Sequence, residues 1–306
     1  MSKILTLNEI PGGRDFVCGD IHGAYSCVMA ALKGLNFDKT KDRLICAGDL
    51  VDRGPQNYEC IQLLAEKWFF CCLGNHEDMA YQHFTGGYMG QWWGGNGGHW
   101  INHAPQEAEG IIRHEFAKLP YLITVKNADG TRFHALHAEL PLQKIVRMNI
   151  QLSDELLENE GKFLELAETY GAGDGVSVLW ARSLFYSAYR AEQNDTLLRK
   201  LAKQAEMYKY EQAFGTVSPI FSGHTIVQRP LTIGAQTNID TCAYDSYTGD
   251  GPYAPYFPKG WEGLTVVEPR AGKYWLVNDR EFRETTPAVV VIKELDQNVE
   301  TVKERP

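Results

Sequence analysis

Short polar clusters that combine aspartate, histidine or asparagine with glycine recur along most of the chain. Each cluster directly follows an apolar segment with the composition of a buried strand. Functional groups in α/β proteins gather beyond the carboxyl ends of the strands, and flanking glycines permit the tight turns needed there. The pattern therefore predicts that distant segments deliver these side chains to one place. The clusters are Gly19–Gly23, Gly48–Gly54, Gly74–Glu77, His137 and Gly223–Thr225.

The side chains of these clusters offer oxygen and nitrogen donors without sulfur, a set that suits divalent manganese, iron or zinc. Two aspartates, one asparagine and three histidines are more ligands than one catalytic metal with open positions can use. They fit two cations about 3.5–4 Å apart that share a bridging carboxylate. The candidate ligands are Asp20, His22, Asp49, Asn75, His137 and His224.

The ordered motifs GDIHG, GDLVDRG, GNHE, a lone histidine and GHT resemble those of the phosphoprotein phosphatases, a family of calcineurin-like metallophosphoesterases. The similarity is greatest to the lambda-type serine/threonine phosphatases of bacteria and phages, and it runs from Phe16 to Thr241. The resemblance implies that Asp20 and His22 bind one metal and that Asp49 bridges both. The residues that it implies for the second metal are Asn75, His137 and His224.

The same resemblance implies which residues act on the phosphate group. His76 would be the general acid that protonates the leaving alkoxide, and Asp52 would orient its ring. Arg53 and Arg182, the latter in a Trp-Ala-Arg motif, would hold the phosphate oxygens in bidentate contacts. The implied cofactors are two divalent metal ions, with Mn²⁺ expected first and iron or zinc as alternatives.

These roles predict a metal-dependent phosphomonoester hydrolase, specifically a serine/threonine protein phosphatase whose partner is a phosphorylated protein or peptide. Uncatalysed phosphomonoester hydrolysis is so slow that metals, arginines and a proton donor are all expected to contribute. Two alternatives stay open. A symmetrical diadenosine tetraphosphate hydrolase shares most motifs, although such enzymes commonly carry Ala where this chain has Asp52. A non-catalytic scaffold of the same fold would usually lack a ligand or the acid, and here none is missing.

Alternating strand and helix patterns in the first half of the chain position these clusters. Apolar segments at 16–18, 44–47 and 68–73 predict strands, which are separated by amphipathic helices at 24–35 and 57–67. This order is typical of parallel pairing. The predicted fold class is α/β, a metallophosphoesterase-type β-sandwich flanked by helices in the order α/β/β/α.

A second sheet is predicted further along the chain. Residues 127–130 contain an Asp-Gly turn compatible with type I′, which predicts a β-hairpin. Strand patterns return at 219–222 and again over about 262–295. Because these strands resume the pattern of the first half, residues 1–306 are predicted to form a single domain.

Residues 150–215 are predicted to be a helical insertion within that domain. Apolar residues recur there at three- and four-residue steps, over Ser153–Tyr170 and again over Asn194–Phe214. Ser153 and Asp195 are the predicted N-caps of these helices. The extra helices should lie beside the cleft and restrict what enters it.

A segment rich in tryptophan and glycine, from Trp92 to Trp100, follows the GNHE motif. It lacks the lysine and the spacing of a phosphate-binding P-loop. Bacterial members of the resembled family often carry a similar Trp…Asn-Gly-Gly segment, so we interpret it as a structural turn that packs near the site. Glu77 has no predicted role in the chemistry.

The composition indicates a globular protein and narrows its partners. The chain has 306 residues, of which 44% are hydrophobic, and a net charge of −9 that disfavours nucleic-acid or anionic-membrane binding. No apolar run approaches a membrane span, and the N-terminus lacks the pattern of a secretory signal. We therefore expect a cytoplasmic protein, in the host cytoplasm if a phage encodes it, with seven reduced cysteines. The oligomeric state stays open.

Overall fold

The computed structural model describes residues 2–167, 177–185, 208–247, 262–278 and 280–289. Its strands are β1 (Ile4–Asn8), β2 (Asp15–Cys18), β3 (Arg43–Cys46), β4 (Phe69–Cys71), β5 (Leu122–Lys126), β6 (Arg132–Leu136), β7 (Ile220–Ser222), β8 (Leu231–Ile233), β9 (Gln236–Asn238), β10 (Leu264–Glu268), β11 (Lys273–Val277), β12 (Phe282–Thr285) and β13 (Ala288–Val289). Its α-helices are α1 (Tyr25–Gly34), α2 (Asn57–Gln62), α3 (Asn75–Thr85), α4 (Glu107–Glu115), α5 (Leu142–Arg147), α6 (Asp154–Glu158), α7 (Glu160–Ala167) and α8 (Ser177–Trp180).

The strands form two mixed sheets. One has the order β12-β11-β10-β2-β3-β4, in which β2, β3 and β4 run parallel as predicted. The other has the order β1-β5-β6-β7-β9-β8-β13 and contains the predicted hairpin β5–β6. The candidate ligands follow the carboxyl ends of β2, β3, β4, β6 and β7, each of which runs parallel to a neighbouring strand.

Side chains alternate between separate cores along the strands that are buried on both faces. Phe16 and Cys18 pack with the apolar faces of α1 to α4, whereas Val17 between them packs between the two sheets. Likewise Ile123 lies between the sheets, and its neighbour Leu122 packs with helices α5 to α7. The layers are therefore helix, sheet, sheet and helix, which confirms the predicted α/β/β/α fold.

The hairpin turn differs from the predicted type. Gly130 has a φ of 86°, but Asp129 is not among the residues with positive φ. Asn127 N donates to Thr131 O at 2.9 Å, and Gly130 N donates to Asn127 O at 3.1 Å. This pattern is a three-residue loop in which the glycine forms a bulge. The type I′ prediction was wrong because that turn needs positive φ at both central residues.

The helix predicted over Ser153–Tyr170 is divided into α6 and α7. Asn159 has an extended backbone after α6, and its Oδ1 accepts the N–H of Lys162 at 3.1 Å within α7. An asparagine that leaves the helical region and caps the next helix interrupts the predicted period. The N-cap at Ser153 is confirmed, since its Oγ accepts the N–H of Leu156 at 3.2 Å.

Other predicted features lie outside the described residues. Within the predicted helix Asn194–Phe214, the structure describes residues 208–214, of which 208–213 are helical, and the Asp195 cap is outside this part. The single domain over residues 1–306 stays a prediction. Among the described residues, none of the helices has the length and apolar character that crossing a membrane requires.

Replacing Ile123 with Val tests the packing between the sheets. Ile123→Val removes a methylene from a fully buried site and should lower the free energy of unfolding by about 0.5–1.5 kcal/mol. Urea denaturation followed by circular dichroism measures this change. Ile4→Val is the matched control because Ile4 is only half-buried on β1, and its loss should be smaller. Equal losses at both positions would show that packing between the sheets stabilises the protein no more than packing at the half-buried position.

Candidate metal centre

The loops after β2, β3, β6 and β7 are joined by hydrogen bonds that backbone N–H groups donate. His22 N donates to the carbonyl of Asp49 at 2.8 Å, and Gly223 N donates to the carbonyl of His137 at 2.8 Å. The N–H of His224 donates to Asp20 Oδ2 at 3.0 Å, which links two segments 204 residues apart in the chain. These bonds place candidate ligands from both sheets side by side.

Several candidate residues have a left-handed backbone conformation, which residues other than glycine rarely adopt. Such strain persists only where surrounding contacts hold it, and it is concentrated at functional sites. Eight non-glycine residues in the described part of the chain have positive φ. Five of them are candidate site residues: His22, Asp49, Asp52, Arg53 and His224.

Asp49 lies at the centre of the candidate ligands. Its Oδ2 is 3.4 Å from His22 Nε2 and 3.8 Å from His76 Nε2, and its Oδ1 is 3.4 Å from His137 Nε2. Two groups of donors within 4.8 Å of one another share this carboxylate, one with His22 and His76 and the other with His137 and His224. Asp49 is the carboxylate that the two groups have in common, and the first group contains His76, the predicted acid, and lacks Asp20.

Three atoms that only accept hydrogen bonds meet at His137, and His224 Nδ1 lies 3.1 Å from the same imidazole nitrogen. Its Nδ1 donates to the carbonyl of Ala47 at 3.2 Å, so Nε2 carries the lone pair. Nε2 faces Asn75 Oδ1 at 2.8 Å and Asp49 Oδ1 at 3.4 Å, and both are acceptors. Burial lowers the pKa of His137 to about 3, so its ring is neutral near pH 7. A cation is the group that satisfies such a cluster of acceptors.

His22 likewise presents an unprotonated nitrogen, to which Arg53 Nη1 donates at 2.7 Å. His22 Nδ1 donates to the carbonyl of Val51 at 2.7 Å, which leaves the lone pair on Nε2. Asp20 Oδ2 is 4.0 Å from that nitrogen. Burial, followed by the nearby carboxylates of Asp240 and Asp49, raises the pKa of Asp20. Buried carboxylates that repel one another in this way also fit a divalent cation, so both halves of the donor set suit the implied metals.

His76 forms a buried pair with Asp52. Its Nδ1 donates to Asp52 Oδ2 at 2.6 Å, and its Nε2 points toward Asp49. Burial opposes charge on both partners, because it lowers the pKa of His76 to about 3 and raises that of Asp52 to about 7. The indole N–H groups of Trp100 and Trp93 oppose that rise and favour the ionised form of Asp52.

The two candidate phosphate-binding arginines contact different histidines of this centre. Arg53 Nη1 donates to His22 Nε2 at 2.7 Å, and its Nη2 donates to His76 Nε2 at 2.9 Å. Arg182 Nη1 donates to the carbonyl of His224. The structure thus brings together all the predicted site residues, and each guanidinium group lies against at least one of the imidazole rings.

Glu77, for which no role was predicted, holds the loop of Asp49 in place. Its carboxylate accepts the N–H groups of Asp49 and Leu50, each at 2.8 Å, and those of Val51 and Gly74 at 3.3 and 3.1 Å. The signal for this role is its position as the third residue of α3, where an acidic side chain caps a helix. The partners in the distant loop could not be read from that spacing.

Glu139 similarly holds the turn that follows Arg182. Its buried carboxylate accepts the N–H groups of Leu184 at 2.6 Å and Phe185 at 3.1 Å and the hydroxyl of Ser183 at 3.0 Å. Burial raises the pKa of Glu139 to about 7. The sequence offered no signal for this contact, since Glu139 and Leu184 are 45 residues apart.

The layered sheets, with candidate ligands where their loops meet, define a metallophosphoesterase-type fold. A family model for calcineurin-like phosphoesterases matches residues 16–228. Serine/threonine-protein phosphatase 2 of Salmonella typhimurium is 32% identical over 231 residues, which cover 76% of this chain and 88% of that protein. The chain belongs to the calcineurin-like phosphoesterase family, which confirms the predicted family and its class of hydrolase.

Two further similarities concern enzymes named for dinucleotides. The symmetrical bis(5′-nucleosyl)-tetraphosphatase of Hamiltonella defensa is 38% identical over 65 residues, which cover 21% of this chain and 24% of that protein. The crystal structure of a candidate diadenosine tetraphosphatase has a TM-score of 0.54 at 15% identity, and the match covers 92% of this chain and all of the other. The latter similarity shows a shared fold.

Replacing Gly223 with Ala tests the placement of Asp20. An added methyl group would lie 1.8 Å from Asp20 Oδ1 and must displace that side chain. We expect Gly223→Ala to weaken Mn²⁺ binding by about tenfold to a hundredfold, as loss of support around a ligand commonly does. Isothermal titration with MnCl₂ measures the affinity. Gly95→Ala is the control, since its methyl group meets open space. An unchanged affinity in Gly223→Ala would show that Asp20 does not support the metal centre.

Proposed function

We propose that the protein is a metal-dependent phosphomonoesterase that acts on phosphoserine and phosphothreonine in proteins. The observation that carries this proposal is the buried Asp52–His76 pair, with Arg53 bonded to the same imidazole, beside two groups of side chains that could hold metal ions. The name of the Salmonella relative, which matches along 88% of its length, supports the protein substrate. The net charge of −9 supports a phosphorylated protein or peptide over nucleic acid as the partner.

The candidate ligands would hold two divalent cations. Asp20, His22 and Asp49 would bind one cation, and Asp49 would share the other with His137 and its neighbours Asn75 and His224. When bound, such cations supply Lewis-acid chemistry and make hydroxide available near neutral pH. Because the ligand atoms are oxygen and nitrogen, we expect the bound metal to be Mn²⁺, with iron or zinc as alternatives.

The arginines would bind and orient the phosphate group. Arg53 reaches the centre from the side of His22 and His76, and Arg182 reaches it from the side of His224. Each guanidinium presents parallel N–H groups that match two phosphate oxygens. Glu139 keeps the turn after Arg182 in position through its three hydrogen bonds.

His76 would donate the proton that the leaving alkoxide needs. Its Nδ1 is held by Asp52, so Nε2 is the atom that faces the substrate side. When Arg53 turns to a phosphate oxygen, its bond to Nε2 is released and that nitrogen is free to carry a proton. The Asp52 carboxylate stabilises the protonated ring from the opposite side. General acid catalysis of this kind contributes about 10²–10⁴-fold.

Symmetrical dinucleoside tetraphosphate hydrolysis is the second candidate. The match to the Hamiltonella tetraphosphatase favours it, although that match covers only 21% of this chain. Asp52 opposes it, because the resembled dinucleotide enzymes commonly carry Ala at this position of the motif. A non-catalytic scaffold is opposed by the intact ligand set and by the complete Asp52–His76 pair. We also propose a single domain over residues 1–306 that works in the cytoplasm.

A direct comparison of substrates tests the proposed function. The Mn²⁺-loaded protein should release phosphate from a phosphoserine peptide much faster than it cleaves diadenosine tetraphosphate, and excess EDTA should abolish both rates until Mn²⁺ is restored. Phosphate release and nucleotide chromatography measure the two reactions. Faster cleavage of the dinucleotide would establish the second candidate instead. Full activity in metal-free protein would contradict the metal-dependent mechanism.

Replacing His76 with Asn tests the proton donor. His76→Asn should lower kcat for a phosphoserine peptide by about 10²–10⁴-fold while bound manganese stays unchanged, because the acid is lost and the candidate ligands remain. Steady-state kinetics and elemental analysis give the two readouts. His103→Asn is the control, since His103 is exposed, and it should leave kcat unchanged. If kcat stays constant in His76→Asn, His76 does not have the acid role; if manganese is lost with it, His76 is a ligand.

A further inference from the structure

The carboxylate of Asp52 has neutral donors in addition to His76. Trp100 Nε1 donates to Oδ1 at 2.7 Å. Trp93 Nε1 lies 3.1 Å from Oδ1 and 2.9 Å from Oδ2. His76 Nδ1 donates to Oδ2 at 2.6 Å. Both oxygens of a side chain that is fully buried are therefore bound, and two of the three donors come from the segment Trp92–Trp100.

The tryptophan rings are themselves held in place. Trp93 is 1% exposed and packs against His83 and Phe84, with ring centres 5.1 and 5.6 Å away. Its ring meets that of Trp100 edge-on at 6.3 Å. A side chain cannot rotate freely inside such an aromatic cluster, so the two indole N–H groups point in fixed directions.

Glycines let this segment approach Asp52. A methyl group on Gly97 would lie 2.9 Å from the backbone nitrogen of Arg53 and 3.2 Å from Asp52 Cβ. A methyl group on Gly98 would lie 2.6 Å from the indole of Trp93. The glycine-rich sequence is thus required for the close contact between the tryptophan segment and the loop that carries Asp52.

We propose that Trp93 and Trp100 are positioning residues for the proton donor, because their indole N–H groups set the plane of the Asp52 carboxylate so that Oδ2 meets His76 Nδ1. The proposal rests on the proposed function, in which His76 protonates the leaving group. The terminal torsion of an aspartate is broad and roughly two-fold, so one hydrogen bond to His76 does not define its plane. Donors at Oδ1 remove that freedom.

Neutral donors suit this task better than cations. An indole only donates, so it cannot compete with the carboxylate for the proton on His76 Nδ1. A lysine or arginine in the same place would also neutralise the negative charge that stabilises the protonated imidazole. The two tryptophans therefore orient Asp52, and its negative charge stays available to stabilise the protonated imidazole of His76.

The leaving group distinguishes positioning from simple packing. The serine alkoxide needs a proton as it departs, whereas p-nitrophenolate is a good leaving group that needs little help. Loss of alignment in the Asp52–His76 pair should therefore slow hydrolysis of a phosphoserine peptide far more than hydrolysis of p-nitrophenyl phosphate. A change that merely loosens the protein should slow both reactions alike.

Trp100→Phe and Trp93→Phe provide the test in the full-length, Mn²⁺-loaded protein. Each variant keeps an aromatic ring and removes one N–H group, and Trp100 is only partly buried, which makes its variant the milder one for folding. We expect kcat for the phosphoserine peptide to fall by about tenfold to a hundredfold and kcat for p-nitrophenyl phosphate to fall by less than about threefold. Circular dichroism and manganese content should match the wild type.

Two tryptophans serve as matched controls. Trp68→Phe removes another buried indole that donates to a carboxylate, at 2.8 Å to Glu66 and away from the centre. Trp92→Phe changes the immediate neighbour of Trp93, a ring that is 54% exposed. Neither control should alter the ratio of the two rates. Equal losses with both substrates in Trp93→Phe and Trp100→Phe, or no loss, would overturn the proposal.

His76→Asn separates this inference from the proposed function on which it rests. If His76→Asn changes the ratio of rates and Trp100→Phe does not, the positioning role is wrong and the acid role stands. If the wild-type protein hydrolyses neither phosphomonoester, or if His76→Asn leaves the ratio unchanged, the proposed mechanism itself is wrong. Both results are read from the same pair of assays.

Discussion

A buried group of lone pairs without protons is the constraint on which the rest of this structure depends. Asp49 places its two carboxylate oxygens 3.4 Å from the imidazole nitrogens of His22 and His137, and both rings use their other nitrogen to donate to a backbone carbonyl. Burial makes charge and unpaired acceptors costly in such a place. The chain supplies part of what these atoms need, since Arg53 donates to His22 Nε2 at 2.7 Å and the N–H of His76 donates to Asp49 Oδ1 at 3.0 Å. The imidazole nitrogen of His137 still faces acceptors, and a bound cation would satisfy them.

The surrounding fold supplies that support. Parallel strands bring loop after loop to one place, and backbone hydrogen bonds join loops from both sheets. Left-handed backbone conformations at His22, Asp49 and His224 turn these side chains inward, at a local cost that the packed layers offset. Glu77 contributes four hydrogen bonds to backbone N–H groups, three of them in the loop that carries Asp49. The strain at the centre is therefore carried by the same residues that later act on a ligand.

Arg182, proposed to bind phosphate, and His76, proposed to donate the proton, are supported by separate parts of the chain. Arg182 is followed by a turn whose backbone N–H groups donate to the carboxylate of Glu139. His76 depends on Asp52, and Asp52 depends on a tryptophan pair more than forty residues further along. Because these supports do not share side chains, changes in one should leave the other in place. Arg53 is bonded to His76, so only the contribution of Arg182 to phosphate binding can be altered independently of proton donation.

The sequence by itself determined the layered α/β fold and the candidate residues around the centre. Short apolar segments separated by amphipathic helices indicate α/β layers, and motifs of Asp, His and Gly mark the ends of those strands, since both signals lie within a few neighbouring residues. Only the tertiary structure decided that Trp93 and Trp100 bond to Asp52, that Glu139 holds the turn after Arg182, and that Asn159 divides a helix. A local pattern cannot specify these features, because each depends on which atom the folded chain brings within hydrogen-bond distance.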